Sequence, residues 1–417
     1  MQNYPQYPYP GQQLTPQPGY PQQGNTQAPQ GYPQQPTVGQ PQQGYAQPRQ
    51  QGYMQPRQNY PQQTYGQYSP RQYSIQQAPQ YPAAQYARPR YVQPQMTPEQ
   101  QEHYFYHRSL RKTVNGLGTL MLIFFGLEIV LGVIFTLITS FSGAGITTEA
   151  DPLFLLENGA LSMLIFFVSG LVYCLIKRVR FAAIFPFDKV GAGYLAKLCV
   201  IGLSFSLASN YVVDMINTTF GLFGIENTGG SVDAGSQPNV LLYFLTVAIL
   251  PAFAEEFAFR GIVMGVLRPY SDGLAILVSS ATFALMHGNF VQLPFTFCCG
   301  IVFAFIDIKT NSLLPSIIVH FLNNGLSVLF DVLTSYNILT ETGANMCYGI
   351  IFAVTGILSF IFLKGIINKK GSHYFSLEKG DDVIPFKSKV TTAATSPTLI
   401  AFAAVMVSYC ILSLFIS

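Results

Sequence analysis

Apolar positions along the chain gather into nine runs separated by polar breaks, at roughly 115–139, 157–176, 194–215, 239–262, 273–288, 290–308, 313–333, 347–367 and 398–416. A helix needs about 20 apolar residues to cross a bilayer, so each long run predicts a membrane span. The fifth run is short and almost joined to the sixth around Gly288-Asn289, which makes that pair the weakest of the nine. Ahead of the first run, Thr97-Pro98-Glu99 predicts a helix start, with Thr as the cap, Pro in the first turn and an acid at the positive end. That helix carries His103, His107, Arg108, Arg111 and Lys112 and is expected to lie at the membrane surface. Residues 1–96 are built from Pro, Gln, Tyr and Gly, with almost no aliphatic side chains to offset the entropy of ordering. The expected fold is all-α: a polytopic helical membrane protein with about nine transmembrane helices, preceded by a disordered N-terminal tail. Residues 97–238 would hold the surface helix and first three spans, 239–335 the central spans, and 336–417 two C-terminal spans.

Composition agrees with a bilayer as the principal partner. Hydrophobic residues make up 49% of the chain and charged residues only 10%, against about 25% charge in soluble domains. A net charge of +3 is too small to argue for nucleic acid. Residues 1–98 hold five Arg and no Asp or Glu. The tail is either an inert solvated segment or, through its Tyr and Arg residues, a site of weak self-association or surface contact. The six cysteines lie in or beside apolar runs without paired His spacing, so they read as packed thiols rather than zinc ligands. His103 and His107 stand at i,i+4, but no third ligand type is near them.

Lys and Arg alternate with acids from loop to loop. Arg108, Arg111 and Lys112 precede the first run, and Lys177, Arg178 and Arg180 follow the second. Arg268 follows the fourth, Lys309 the sixth, and Lys364, Lys369 and Lys370 the eighth. The intervening loops carry Glu149, Asp151, Glu226, Asp233 and Glu341 without Lys or Arg. The positive-inside rule then predicts a cytoplasmic N-terminus and an outward C-terminus. The absence of a leader pattern at the start and the low-complexity tail point to a bacterial plasma membrane.

Chemistry concentrates in three runs. The fourth contains Glu255, Glu256 and Arg260 in an otherwise apolar stretch, and each such charge costs about 2.5–3.5 kcal/mol at the centre of a membrane helix. Glu256 and Arg260 are i,i+4 and can pair on one face, while Glu255 points roughly 100° away and is free to act as a general base. The competing reading is a structural salt bridge plus a tolerated acid near the interface. The fifth run ends at His287, and the seventh holds His320 and Asn324 at i,i+4. Together they offer a base, two imidazoles, an amide and a cation, the inventory for activating water and stabilising an oxyanion. There is no His-Glu-x-x-His helix and no Gly-x-Ser-Gly loop, and the one Gly-Asp pair, Gly380-Asp381, lies in a polar loop.

Glu-Glu-x-x-x-Arg at 255–260, Phe-x-x-x-His at 283–287 and His-x-x-x-Asn at 320–324 resemble the three motifs of the CPBP family, which includes type II CAAX prenyl proteases and bacteriocin-processing or immunity proteins. The stretch from Gly300 to Leu313, leading through Pro315 to His320, resembles the family's approach to its last motif. The resemblance covers about 239–335 and implies a catalytic core there: an intramembrane glutamate-dependent endopeptidase acting on a peptide or protein substrate in or at the membrane. It implies that Glu255 with His287 activates the attacking water, that His320 and Asn324 stabilise the oxyanion, and that Glu256 and Arg260 hold their helix in register. It implies no cofactor. A ninth span and the long tail depart from the family's usual eight helices.

Three other readings stay open at this stage. Glu255, His287 and His320 have the ligand types of a zinc site, which would make the protein a metalloprotease. The polar residues could instead tie together a membrane scaffold or an immunity protein without catalysis. Buried charges also line transport paths, although no second half repeats the charged helix. The substrate is not legible, nor whether it is prenylated; the chain's own last residues lack a Cys four from the end.

Overall fold

Helices start and stop close to the polar breaks in the sequence. The computed structural model describes residues 96–142, 151–222 and 239–416, so the expected tail lies almost wholly outside the described residues. Helix α1 spans Pro98–Ser142. It is followed by α2 (Pro152–Lys177), α3 (Ala192–Gly221) and α4 (Val240–Leu267). Then come α5 (Asp272–Met286), α6 (Gln292–Thr310), α7 (Leu314–Ser335), α8 (Glu341–Lys370), α9 (Phe386–Ala394) and α10 (Pro397–Ile416). No β-strand occurs among the described residues, only an isolated bridge between Phe187 and Ser312.

Thr97 caps α1 as expected, and more fully than Glu99 suggested. Its Oγ1 accepts the Gln100 N–H at 3.2 Å while Gln100 Oε1 accepts the Thr97 N–H at 3.0 Å, a reciprocal capping box. The expected separate surface helix does not exist. The residues that were to form it are the first turns of α1, a single helix of 45 residues, about 68 Å at the helical rise. The reason is continuity of the apolar face: Tyr106, Leu110, Val114, Leu117, Met121 and Phe124 are all buried at helical spacing, with no Pro between to end the run. His107 uses both ring nitrogens on α9, with Thr392 Oγ1 at 2.7 Å and Ser388 Oγ at 3.3 Å, and so serves packing rather than metal.

All nine apolar runs appear as helices, but not all are long enough to span. Among the described residues seven helices are long and apolar enough to cross a membrane, and an eighth if α9 and α10, bent by 62°, form one span. The fifth run is the exception: α5 has 15 residues, about 22 Å, against the ~30 Å hydrocarbon core. Its stop is local. Gly288 takes a left-handed φ of 63°, and a Cβ there would also strike the Tyr409 ring of α10 at 2.7 Å. Asn289 Oδ1 then accepts the N–H groups of Val291 (2.9 Å) and Gln292 (3.2 Å), which opens α6. The α5–α6 hairpin returns to the end of the bundle it left: Arg268, before α5, donates to Asn311 Oδ1, after α6, at 3.1 Å.

The main core joins α1, α2, α4, α5, α6 and the C-terminal helices through residues such as Phe124, Phe166, Phe259, Ile262, Leu274 and Phe402. At one end of the bundle a buried lysine closes the fold: Lys389 Nζ donates to the carbonyls of Tyr270 (2.8 Å), Lys379 (2.8 Å) and Asp381 (2.7 Å). Three acceptors match the three donors of an ammonium, so this burial leaves no proton orphaned. The loop after α8 is thereby clasped to the turn between α4 and α5, where the Glu378 N–H also donates to Asp272 Oδ2 at 3.1 Å.

Candidate active site

The chemistry sits where α4 departs from regular helix. Residues Phe244–Ile249 and Glu256–Met264 are π-helical, with α-helical Leu250–Glu255 between them. Pro251 explains part of this: it has no N–H to give the carbonyl four residues back, that of Val247. Asn324 Nδ2, from α7, donates to Val247 O at 3.1 Å. A proline on one helix and an amide on the next thus join the two elements. Such π segments recur at functional sites because they re-aim side chains.

Glu256 and Arg260 form the expected i,i+4 pair, Nε to Oε2 at 3.2 Å, with both side chains fully buried. The guanidinium also lies over the Phe283 ring, 4.1 Å from its centroid, with Phe303 at 5.5 Å. Phe283 is the first residue of the Phe-x-x-x-His motif, and its role here is to face the cation.

His320 stands between the two glutamates, an arrangement the 100° argument did not anticipate. Its Nδ1 lies 2.9 Å from Glu256 Oε1, and its Nε2 lies 3.9 Å from Glu255 Oε2. The diverging nitrogens of one imidazole therefore reach adjacent residues on α4. With Glu256 accepting, Nδ1 is the protonated nitrogen, and Nε2 faces Glu255 across a gap longer than a hydrogen bond. Glu255 Oε2 is itself buried with no hydrogen-bond partner.

His287 reaches the same cavity from the C-cap of α5. Its Nδ1 lies 2.9 Å from the Phe283 carbonyl, which can only accept, so the neutral ring presents Nε2 as an acceptor. Glu255, His287, His320 and Asn324 line one cavity of about 70 Å³, so the four residues singled out as catalytic are brought together. Its walls include Phe295, Thr296, Cys299 and Phe303 of α6. Cys299, read from sequence only as a packed thiol, donates to Ser206 Oγ of α3 at 3.6 Å.

Asp307 is the main residue that the sequence reading missed. It is buried on α6, where Oδ2 accepts the Ser316 hydroxyl at 2.6 Å and Oδ1 accepts the Ser316 N–H at 3.2 Å. Ser316 is the third residue of α7, so Asp307 caps that helix from its neighbour and sets the axial position of His320. An acid inside the sixth apolar run was the available signal. Among the described residues no three His, Cys, Asp or Glu side chains are grouped to hold a metal ion.

Comparison with known proteins bears on the same segment. The family model for type II CAAX prenyl endopeptidase Rce1-like proteins matches residues 237–326, which hold all three motifs. The membrane-embedded CAAX protease MroQ of Staphylococcus aureus (strain USA300) is 28% identical over 169 residues, 38% of this chain and 67% of the relative. An uncharacterized 24.3 kDa protein of Escherichia coli is 32% identical over 101 residues, 23% of this chain and 46% of that protein. No solved structure matches. The segment from α4 into α7 of this helical membrane bundle is similar to the type II CAAX prenyl endopeptidases of the CPBP family, a likeness that supports a membrane-embedded endopeptidase.

Proposed function

We propose that the cavity between α4, α5, α6 and α7 hydrolyses a peptide bond of a membrane-associated substrate with a water held by Glu255 and the two imidazoles. One observation carries the reading: Glu255 Oε2 is buried and unpartnered, 3.9 Å from His320 Nε2, beside a cavity that His287 lines. A separation of that length between two polar groups suits a bridging water.

In the proposed step Glu255, oriented with His287, takes one proton from the water. The water oxygen bonds to the substrate carbonyl carbon, and negative charge develops on the carbonyl oxygen. The remaining N–H of Asn324 and, when its Nε2 also carries a proton, His320 are the donors nearest to hold that charge. The C–N bond then breaks, and the proton on Glu255 passes to the leaving amine, so water and amide become carboxylic acid and amine, the acid then losing its proton to the amine. Glu256 and Arg260 act as positioning residues, holding His320 Nδ1 and the π-helical turn. A cavity of about 70 Å³ admits water but not a peptide, so the helices around it must part for the substrate.

The substrate class is taken from the CAAX protease relatives: a chain segment presented at the membrane surface. The end of the bundle bearing Arg268, Lys309 and Lys389 is assigned to the cytoplasm by its basic charge, and bacterial relatives favour a bacterial plasma membrane. On this reading the segment 239–335 is the catalytic unit.

The test is a comparison of membrane proteomes and of purified protein for the parent, Glu255→Gln and His287→Ala. Cleavage should fall about 10²–10⁴-fold in each, with expression and thermal stability unchanged. Parent-level cleavage of a matched substrate by both variants would sink the assignment.

A further inference from the structure

A second cavity lies between α1 and α2, lined by no residue of the Glu255 cavity. It is an open groove of about 850 Å³, a size that takes a ligand much larger than water. Along α1 it follows one helical stripe from Arg108 to Leu127, about 28 Å at the helical rise. Its two ends differ in chemistry. One end gathers Arg108, Arg111 and Lys112 from α1 with Lys177 from α2. The other is apolar, walled by Ile123 and Leu127 facing Val168 and Val172. Between them Asn115, Thr119 and Tyr173 form a polar waist. Gly116 lies beside that waist, where a Cβ would sit 3.3 Å from the Tyr173 hydroxyl and in ordinary contact with Lys177.

The four cations are not balanced by protein. Among the described residues no Asp or Glu forms an ion pair with any of them, and Arg111 alone has a side-chain partner, donating to Thr395 Oγ1 at 3.2 Å. Four like charges exposed at the edge of an apolar trough repel one another unless an anion neutralises them. The chain's own N-terminal segment is a poor candidate, because residues 1–98 contribute five more Arg and no acid. The ligand must carry negative charge at one end and an apolar chain of membrane length at the other.

We propose that this groove is a binding site for an anionic phospholipid, with the phosphate among Arg108, Arg111, Lys112 and Lys177 and one acyl chain lying between α1 and α2 against Ile123, Leu127, Val168 and Val172. The site is separate from the catalytic cavity, and its occupancy does not depend on the peptidase reading. Gly170, on the same helix, packs instead against Phe257 and Ile262 of α4, so a lipid in the groove would brace α2 against the helix that carries the glutamates.

The test is native mass spectrometry of the purified full chain with phosphatidylglycerol, phosphatidylcholine or glycerol phosphate. Phosphatidylglycerol should be retained on the parent and phosphatidylcholine lost. The triple variant Arg108→Gln, Lys112→Gln, Lys177→Gln should reduce phosphatidylglycerol retention about tenfold or more, while Lys369→Gln, outside the groove, should not. Val168→Trp, which fills the apolar end, should weaken retention with all cations present. Equal retention of both lipids, parent-level retention by the triple variant, or displacement of lipid by glycerol phosphate at equal concentration would each overturn the proposal. Unchanged thermal unfolding of the variants separates lost binding from lost folding.

Discussion

Helices α4 and α8 are close in length, 28 and 30 residues, yet they treat the bilayer in opposite ways. α8 is regular and apolar; of its side chains only Ala344 and Ile366 are buried, and Ile350, Ile357 and Phe360 are at least 64% exposed. α4 carries two glutamates, an arginine and a proline, is π-helical twice, and is buried without a break from Glu256 to Gly265. The difference shows what a membrane chain must do to keep charge. Ionised groups persist on α4 because Glu256 and Arg260 pair with each other and neighbouring helices add to the pair: His320 from α7, the Phe283 ring from α5 and Asn324 on the freed carbonyl. α8 has no such shell and holds no charge between Glu341 and Lys364.

The largest effect should come from removing one partner within that shell. Arg260→Met leaves the Glu256 carboxylate buried without its cation, and breaking such a pair costs about 3–5 kcal/mol. Thermal unfolding in detergent should show that loss, and Glu256→Gln added to Arg260→Met should recover most of it. If the single variant were as stable as the parent, the ion pair would be incidental to α4. Moving a charge the other way is the converse experiment. Ile357→Glu exposes a carboxylate on α8 with nothing to meet it, so insertion should weaken by about 2.5–3.5 kcal/mol or less according to depth. A glycosylation-reporter insertion assay would read this as a lower inserted fraction.

How far the sequence already contained this contrast depends on the kind of interaction. The helices were legible because apolar periodicity is local, and the Glu256–Arg260 pair was legible because i,i+4 neighbours meet on any helix. The gathering of Glu255, His287, His320 and Asn324 at one cavity was legible only through their motifs. Two features were not. Placing Glu255 and Glu256 about 100° apart assumed a regular α-helix, while α4 is π-helical from Glu256 and one imidazole reaches both acids. Asp307 was not singled out because its partner, the start of α7, meets it only when α6 and α7 pack. The single long α1 was hidden for a related reason: the partner of its first half, α9, lies almost 300 residues downstream.

Asp307 tests that point at an intermediate magnitude. Asp307→Ala removes the acceptor for the Ser316 hydroxyl and N–H, both buried, and a lost cap of this kind costs about 0.5–2 kcal/mol. Because α7 carries His320, kcat should also fall, whereas KM should change little. Asp307→Asn keeps one acceptor and should recover part of both. A variant stable and active as the parent would show that the start of α7 is held by other contacts.

The smallest expected change in stability is the one that best separates shape from charge. Pro251→Ala alters no ionisable group. It supplies the missing N–H to the Val247 carbonyl and so competes with Asn324 for that oxygen. Alanine is the better helix former, so stability should stay the same or rise by up to about 1 kcal/mol, with the surrounding helices absorbing part of the gain. Activity should move the other way. A more regular α4 turns Glu255 relative to His320, whose 3.9 Å separation is the proposed seat of the water, and kcat should fall about tenfold, in line with small misplacements of catalytic groups. Loss of activity with gain of stability would mean that the irregularity of α4 serves the cavity. An unchanged kcat in a more stable protein would mean that α4 and α8 differ in their partners alone.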